Sequence, residues 1–245
     1  MVKWFRSYGL MLKWVFLSNR PWLTLNLVSQ LGIGVAFIFG IGYFYPEMTA
    51  SIAKYLTTGS PTLVLLMVGL VSAPMVVANM RSSGTFDYIW SLPVPRMAHI
   101  AADATNLFGT MIPGIILSII LGKYHFGFDL NVSWLVIPAV LLIASCATFA
   151  GYSMAFAVPT PMMTQVVTQI MTFLVVMFSP VMYPAEQLPQ WLHSLHNVLP
   201  IQYMANLMRG TLTDLPVNLG LAFAVVGAWF VAGFTATYFM VRRRH

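Results

Sequence analysis

Residues 133–157 read SWLVIPAVLLIASCATFAGYSMAFA, with no charged side chain between Ser133 and Ala157. A bilayer's hydrocarbon core takes about 20 apolar helical residues to cross, so this run is long enough to span. Within it Ala147, Gly151 and Ala155 recur at four-residue spacing. In lipid, where helices gain no hydrophobic drive to associate, such a small-residue stripe lets a neighbouring helix approach closely. The run therefore predicts a packed membrane span.

Working outward, five further segments have comparable length and apolarity: about Trp22–Tyr45, Pro61–Met80, Ala98–Leu121, Thr164–Val181 and Pro216–Val241. The 245 residues are 59% hydrophobic and only 7% charged, against roughly 25% charged in soluble proteins. A soluble core could not hide that surplus. The expected fold is an all-α integral membrane protein of six transmembrane helices, forming one domain over residues 1–245.

The formal net charge is +6, but the cations stand at the ends of apolar segments rather than in a stripe, which is a pattern of membrane orientation and not of nucleic-acid binding. Lys3, Arg6, Lys13, Arg20, Arg81, Arg96, Arg242, Arg243 and Arg244 fall on one side of the alternating connections, and Lys54, Lys123 and Arg209 on the other. By the positive-inside bias, both termini are expected to be cytoplasmic. The basic N-terminus lacks an uninterrupted apolar stretch with a small-residue cleavage site, so it is expected to be retained. Instead, Arg6, Lys13 and Arg20 recur every seven residues while Trp4, Tyr8, Met11 and Val15 follow helical spacing on another face. That spacing predicts an interfacial helix over 1–20, anchored to lipid or set against a cytoplasmic partner.

Several chemistries find no support in the sequence. The pattern G-x-x-x-x-G-K-[ST] is absent, and the pair Gly122 and Lys123 is followed by Tyr124, so no nucleotide-phosphate loop of that kind is expected. Cys146 is the sole cysteine, which rules out an internal disulfide or a redox pair. His193 and His196 share a helical face after Glu186, but solvation at an interface explains them more simply than a metal. No catalytic residue, metal or cofactor is assigned to the chain.

Two connections carry more information. Between spans two and three the chain reads Gly84, Thr85, Phe86, Asp87, Tyr88, Ile89, Trp90, Ser91, Leu92, Pro93. Gly84 and Thr85 can open a short helix within 82–92, Asp87 complements its N-terminal dipole, and Pro93 stops it. Phe86, Ile89 and Trp90 give that helix an apolar face, suited either to skimming the membrane or to docking in a partner's groove. Between spans five and six, 182–212 is apolar or amphipathic but broken by proline, the mark of re-entrant or interfacial helices. Pro180, Tyr183, Pro184, Pro189 and Trp191 are its candidate capping residues at the external end of a pathway.

Ser179–Gly210 resembles the signature region of permeases of the type-two ABC exporter family: S-P-x-x-x-P at Ser179–Pro184, L-P-x-W at Leu188–Trp191, a further proline at Pro200, and R-G at Arg209 and Gly210. The stretch from Gly84 and Thr85 to Pro93 and Arg96 is similar to that family's coupling helix. One departure is that Arg81, Ser82 and Ser83 stand where the family commonly places a glutamate before Gly-Thr. The resemblance covers essentially the whole chain. It implies a permease subunit pairing with a second permease, identical or homologous, and with two ABC ATPase subunits that bind ATP and Mg. ATP-driven closure would be transmitted through Gly84–Leu92 and the N-terminal helix to alternate access. The expected location is a bacterial cytoplasmic membrane.

Polar side chains inside the spans are candidates for a substrate path. His99, Asp103, Asn106 and Thr110 are spaced to share one face of span three. The competing explanation pairs His99 with Asp103 at i and i+4 and gives the others to a neighbouring helix. Gln165, Thr168 and Thr172 form a second stripe, beside Met171, Val175 and Met177, and ordinary helix association explains it equally well. Scarce intramembrane charge with abundant Met, Phe and Trp favours an amphiphilic cargo such as a drug, natural product or lipid, with a polysaccharide or glycolipid as the alternative. A proton-coupled secondary transporter using Asp103 and His99 and a non-transporting scaffold are the readings of other classes.

Overall fold

A computed structural model describes residues 2–40, 43, 49–127 and 129–243. Among them every regular element is a helix, and six helices are long and apolar enough to cross a membrane. In order they are α1 (Val2–Val35, continued by a π turn, Ala36–Gly40), α2 (Ala50–Met67) joined through a π turn (Val68–Ser72) to α3 (Ala73–Ser82), α4 (Thr85–Ser91), α5 (Arg96–Phe126), α6 (Val136–Ala157), α7 (Pro161–Phe178), α8 (Gln190–His196), α9 (Pro200–Leu212) and α10 (Leu219–Arg243). The end of the first predicted span, with Tyr45, lies outside the described residues, as do Glu47 and Arg244.

The expected interfacial helix and first span form one helix, bent rather than interrupted. Tyr8 hydrogen-bonds Thr105 (2.8 Å) and Trp14 meets His99, so the first arm runs down α5; Gln30 lies against Gly114 and Gly34 against Ser118, so the second arm runs back up it. The reversal requires a sharp bend between the arms. Pro21 lies inside the helix there, where a proline removes the bond to residue i−4 and its ring displaces that carbonyl. Tyr8 thus stands abreast of Thr105, about 13 Å along α5 from Arg96 at 1.5 Å per residue. The first arm leans along the bundle with Met11 and Val15 buried, while Arg6 and Lys13 remain exposed.

The second span begins at Ala50 rather than Pro61. Thr57, Thr58, Gly59 and Ser60, which precede the expected start, are all buried inside α2. Their cost is reduced by hydroxyls that donate to nearby carbonyls: Thr58 to Lys54 (2.8 Å), Thr62 to Thr58 (2.8 Å), and Ser60 to Gly34 on α1 (3.3 Å). Sixty-one per cent of the most apolar stretch of α2–α3 is buried, against 17% for α1, 17% for α7 and 11% for α10. The second span is therefore the bundle's central post. It packs on α5 and α9, its π turn packs on α6, α3 packs on α7, and α10 covers α6.

The stripe at Ala147, Gly151 and Ala155 makes the close contact its spacing predicts. A Cβ added at Gly151 would overlap the Gly69 carbonyl, and one at Gly69 would overlap Ala147. The π turn matters here because Gly69 lies within it, at the point where α6 approaches most closely.

Candidate functional site

α4 follows a tight joint. Gly84, at φ 71°, supplies the left-handed conformation that other residues adopt only at a cost. The apolar face of α4 turns inward: Phe86 and Ile89 are buried, Phe86 stacks on Trp90 at 4.0 Å, and Arg81 lies 5.6 Å from the rings of both Phe86 and Phe156. Arg81 also donates to the Val158 carbonyl at 2.9 Å. Phe86, Ile89 and Trp90 thus seat the helix on its own bundle, and any partner would meet Asp87, Tyr88 and Ser91, which are exposed. Burying three large side chains outweighs presenting them in water.

Beside this joint lies a cavity of about 730 Å³. Trp14, Ser18, Asn19 and Trp22 of α1 form one wall, Met75 and Asn79 of α3 another; Ser83 and Thr85 close one side, and His99 and Asp103 project from α5. Asp103 is buried and its Oδ2 accepts from the Tyr152 hydroxyl at 2.5 Å. The i, i+4 pair with His99 does not form. His99 instead makes T-shaped contacts with Trp14 and Trp90, at 6.0 and 6.2 Å between ring centroids, and its Nδ1 is buried without a hydrogen-bond partner.

The polar face of α5 is split in two. Asn106 and Thr110 share a separate, more apolar groove of about 630 Å³ with Gly9, Lys13, Leu23 and Leu27. The first arm of α1 divides them, with Trp14, Val15 and Ser18 towards one cavity and Gly9, Leu12 and Lys13 towards the other. One face by spacing becomes two sites.

The second predicted stripe separates as well. Thr168 and Thr172 donate to carbonyls of their own helix, Thr168 to Thr164 at 3.0 Å and Thr172 to Thr168 at 2.8 Å, on the side packed against the bundle. Thr168 also touches Met75 of the cavity wall, its hydroxyl 3.6 Å from the sulfur. Gln165, Met171 and Met177 lie on the exposed side of α7. They line no cavity with Asp103.

At the other end, Pro180 and the buried Val181 join a clamp that spacing did not reveal. Arg209, read as a loop cation, is 3% exposed; its Nη2 donates to the carbonyls of Pro180 (2.8 Å) and Val181 (2.6 Å) and its Nη1 to Asn206 (3.1 Å). The guanidinium stands 4.2 Å from the ring centroid of Tyr55. Burial draws its pKa down to about 10, against opposing pulls from Tyr55 and Glu186, so it stays charged. Tyr183 donates to the Met177 carbonyl (3.2 Å), Pro184 precedes the 3-10 turn Ala185–Gln187, Pro189 precedes α8, and Trp191 is exposed. His196 bonds the Phe178 carbonyl through Nε2 at 2.9 Å. Among the described residues no group of three His, Cys, Asp or Glu side chains could hold a metal.

Tyr152, Trp14, Trp22 and Asn79 were not singled out by sequence. The lone tyrosine within the long apolar run was the available signal for the first of them.

The ABC-2 type transporter family matches the chain over residues 14–213. The chain belongs to that family, and its six apolar helices form the membrane domain of an ABC-type transport permease. Permeases of this family generally work with ABC ATPase partners. A comparison with curated proteins finds no match.

Proposed function

We propose that the chain is the permease subunit of an ATP-driven exporter that moves an amphiphilic substrate out of the cytoplasm or inner leaflet. It would pair with a second permease, identical or homologous, and with two ABC ATPases that hold ATP and Mg. The observation that carries this reading is α4: a short helix pinned by three inward aromatic or aliphatic side chains, headed by a glycine joint, and exposing Asp87, Tyr88 and Ser91. A rigid outward knob is what a motor subunit needs in order to push on a bundle. The joint borders the cavity through Ser83 and Thr85, so movement of α4 would reach the polar groups there.

An amphiphile is favoured over a glycan because the cavity has tryptophan and methionine walls and lies within one chain, rather than forming a long polar channel. The positive-inside pattern supports placing α4 and both termini in the cytoplasm. The region from Pro180 to Leu212 is then the external cap.

The test is ATP turnover by the chain reconstituted with the ABC ATPase that copurifies from its native membrane. Asp87→Lys and Tyr88→Ala are expected to reduce copurification or coupled turnover by about tenfold while leaving folding intact. Phe86→Ala should instead lower thermal stability, because it empties a buried site. Full turnover with α4's exposed face scrambled, or no ATPase in any preparation, would sink the proposal.

A further inference from the structure

The cavity between α1, α3 and α5 has an unusual charge pattern. Its lining holds one carboxylate, Asp103, and no lysine or arginine. Oδ2 of Asp103 is occupied by Tyr152, and among the described residues no cation lies within ion-pair distance of either carboxylate oxygen. His99 Nδ1, also buried, has no partner. Charged side chains within membranes usually pair with one another or line a water-filled path, because an uncompensated charge there is expensive. In this chain the compensating group is absent from the wall and space for it is present.

The rest of the lining defines what would fit. About 730 Å³ lies within the range of drug-sized sites, roughly 300–1,000 Å³. Trp14 and Trp22 both line it, and indole rings attract cations and cover apolar rings. Met75 supplies an adaptable apolar surface, and Asn19 and Asn79 add carbonyl oxygens for donors. An anion would meet the carboxylate with no cation to offset it.

We propose that this cavity is a binding site, contained within a single chain, for an organic cation with an aromatic or apolar body, its positive group held at Asp103 and its rings at Trp14 and Trp22. This identification of the ligand as cargo rests on the transport reading, whereas the binding itself does not.

The probe is tetraphenylphosphonium, compared with tetraphenylborate, which has the same four-phenyl shape and the opposite charge. Binding is measured by equilibrium dialysis of the purified full-length chain in detergent, without ATP or ATPase, after subtracting empty micelles. The cation should bind saturably and at least about tenfold more tightly than the anion, a difference of about 1.4 kcal/mol. Asp103→Asn should abolish that preference. Asn79→Asp, which adds a second carboxylate to the same cavity from the α3 wall, should tighten the cation further, a gain that misfolding cannot imitate and that decides the matter if Asp103→Asn does not fold. Equal affinity for the two ions, or cation binding unchanged by Asn79→Asp, overturns the site. Coupled ATP turnover without charge-selective binding counts against this site alone. Charge-selective binding without any ATPase coupling counts against the transport reading alone.

Discussion

At the scale of single residues, two buried polar groups show how differently a membrane bundle can treat a charge. Arg209 is surrounded: two carbonyls and an amide oxygen take up its Nη donors and the face of Tyr55 lies against its charge, leaving only the buried Nε without a partner among the described residues. Asp103 receives one hydroxyl and faces a cavity. The first arrangement is a structural tie, the second an unfilled one. Arg209→Ala should therefore cost on the order of 3 kcal/mol, since both the charged hydrogen bonds and the packing on Tyr55 disappear. Arg209→Lys should recover only part of that, because an ammonium lacks the planar fork that spans two carbonyls. Equilibrium unfolding in mixed micelles reads both, and a neutral Arg209→Ala would mean that the turn at Pro180 and Val181 holds without the clamp.

At the scale of elements, helix pairs are set by places where side chains are missing. Gly34 lets α1 lie on α5, and a Cβ built there falls 3.6 Å from Cβ of Ser118. Cβ atoms of disulfides lie about 3.5–4.5 Å apart. Gly34→Cys with Ser118→Cys, in a Cys146→Ala background, should form a disulfide on mild oxidation, seen as a mobility shift that a reductant reverses. Failure to cross-link would place the second arm of α1 elsewhere. The bend at Pro21 belongs to this scale too. A straight α1 would separate Gly9 from Leu27 by about 27 Å at 1.5 Å per residue, yet both line one groove.

At the scale of the whole molecule, burial is unevenly distributed. The α2–α3 span is enclosed, while α1, α7 and α10 keep most of their apolar surface outward, as expected of helices facing lipid. With six spans, Ser83 and Asp129 should lie on opposite sides of the membrane. Single cysteines at those positions, again with Cys146→Ala, should react with an impermeant maleimide from opposite faces, Asp129→Cys in intact cells and Ser83→Cys only in inverted vesicles. The reverse pattern would invert the assignment of α4 to the cytoplasm. Labelling of both from one face would remove a span.

Much of this architecture was legible in the chain. Apolar runs long enough to cross a bilayer, a glycine opening a short helix at Gly84, and small residues at Ala147, Gly151 and Ala155 declare themselves through local physics: desolvation of the backbone, a positive φ, and the distance of closest approach. The errors share a cause. The second span is expected from Pro61 because the apolar run begins there, but hydroxyls bonding to nearby carbonyls carry the helix through Thr57–Ser60 from Ala50. Phe86, Ile89 and Trp90 read as a face for skimming the membrane or docking in a partner's groove, because spacing reveals an apolar side and not what covers it. His99, Asp103, Asn106 and Thr110 read as one stripe, and the arm of α1 crossing them made two sites. Sequence by itself determined that the chain spans a membrane, how many spans it has and which small residues permit contact, because these depend on neighbours within a turn or two. Only the tertiary structure decided that Asp103 meets Tyr152, that Arg209 is buried and that a cavity stands beside α4, because each depends on residues dozens of positions apart brought together by packing.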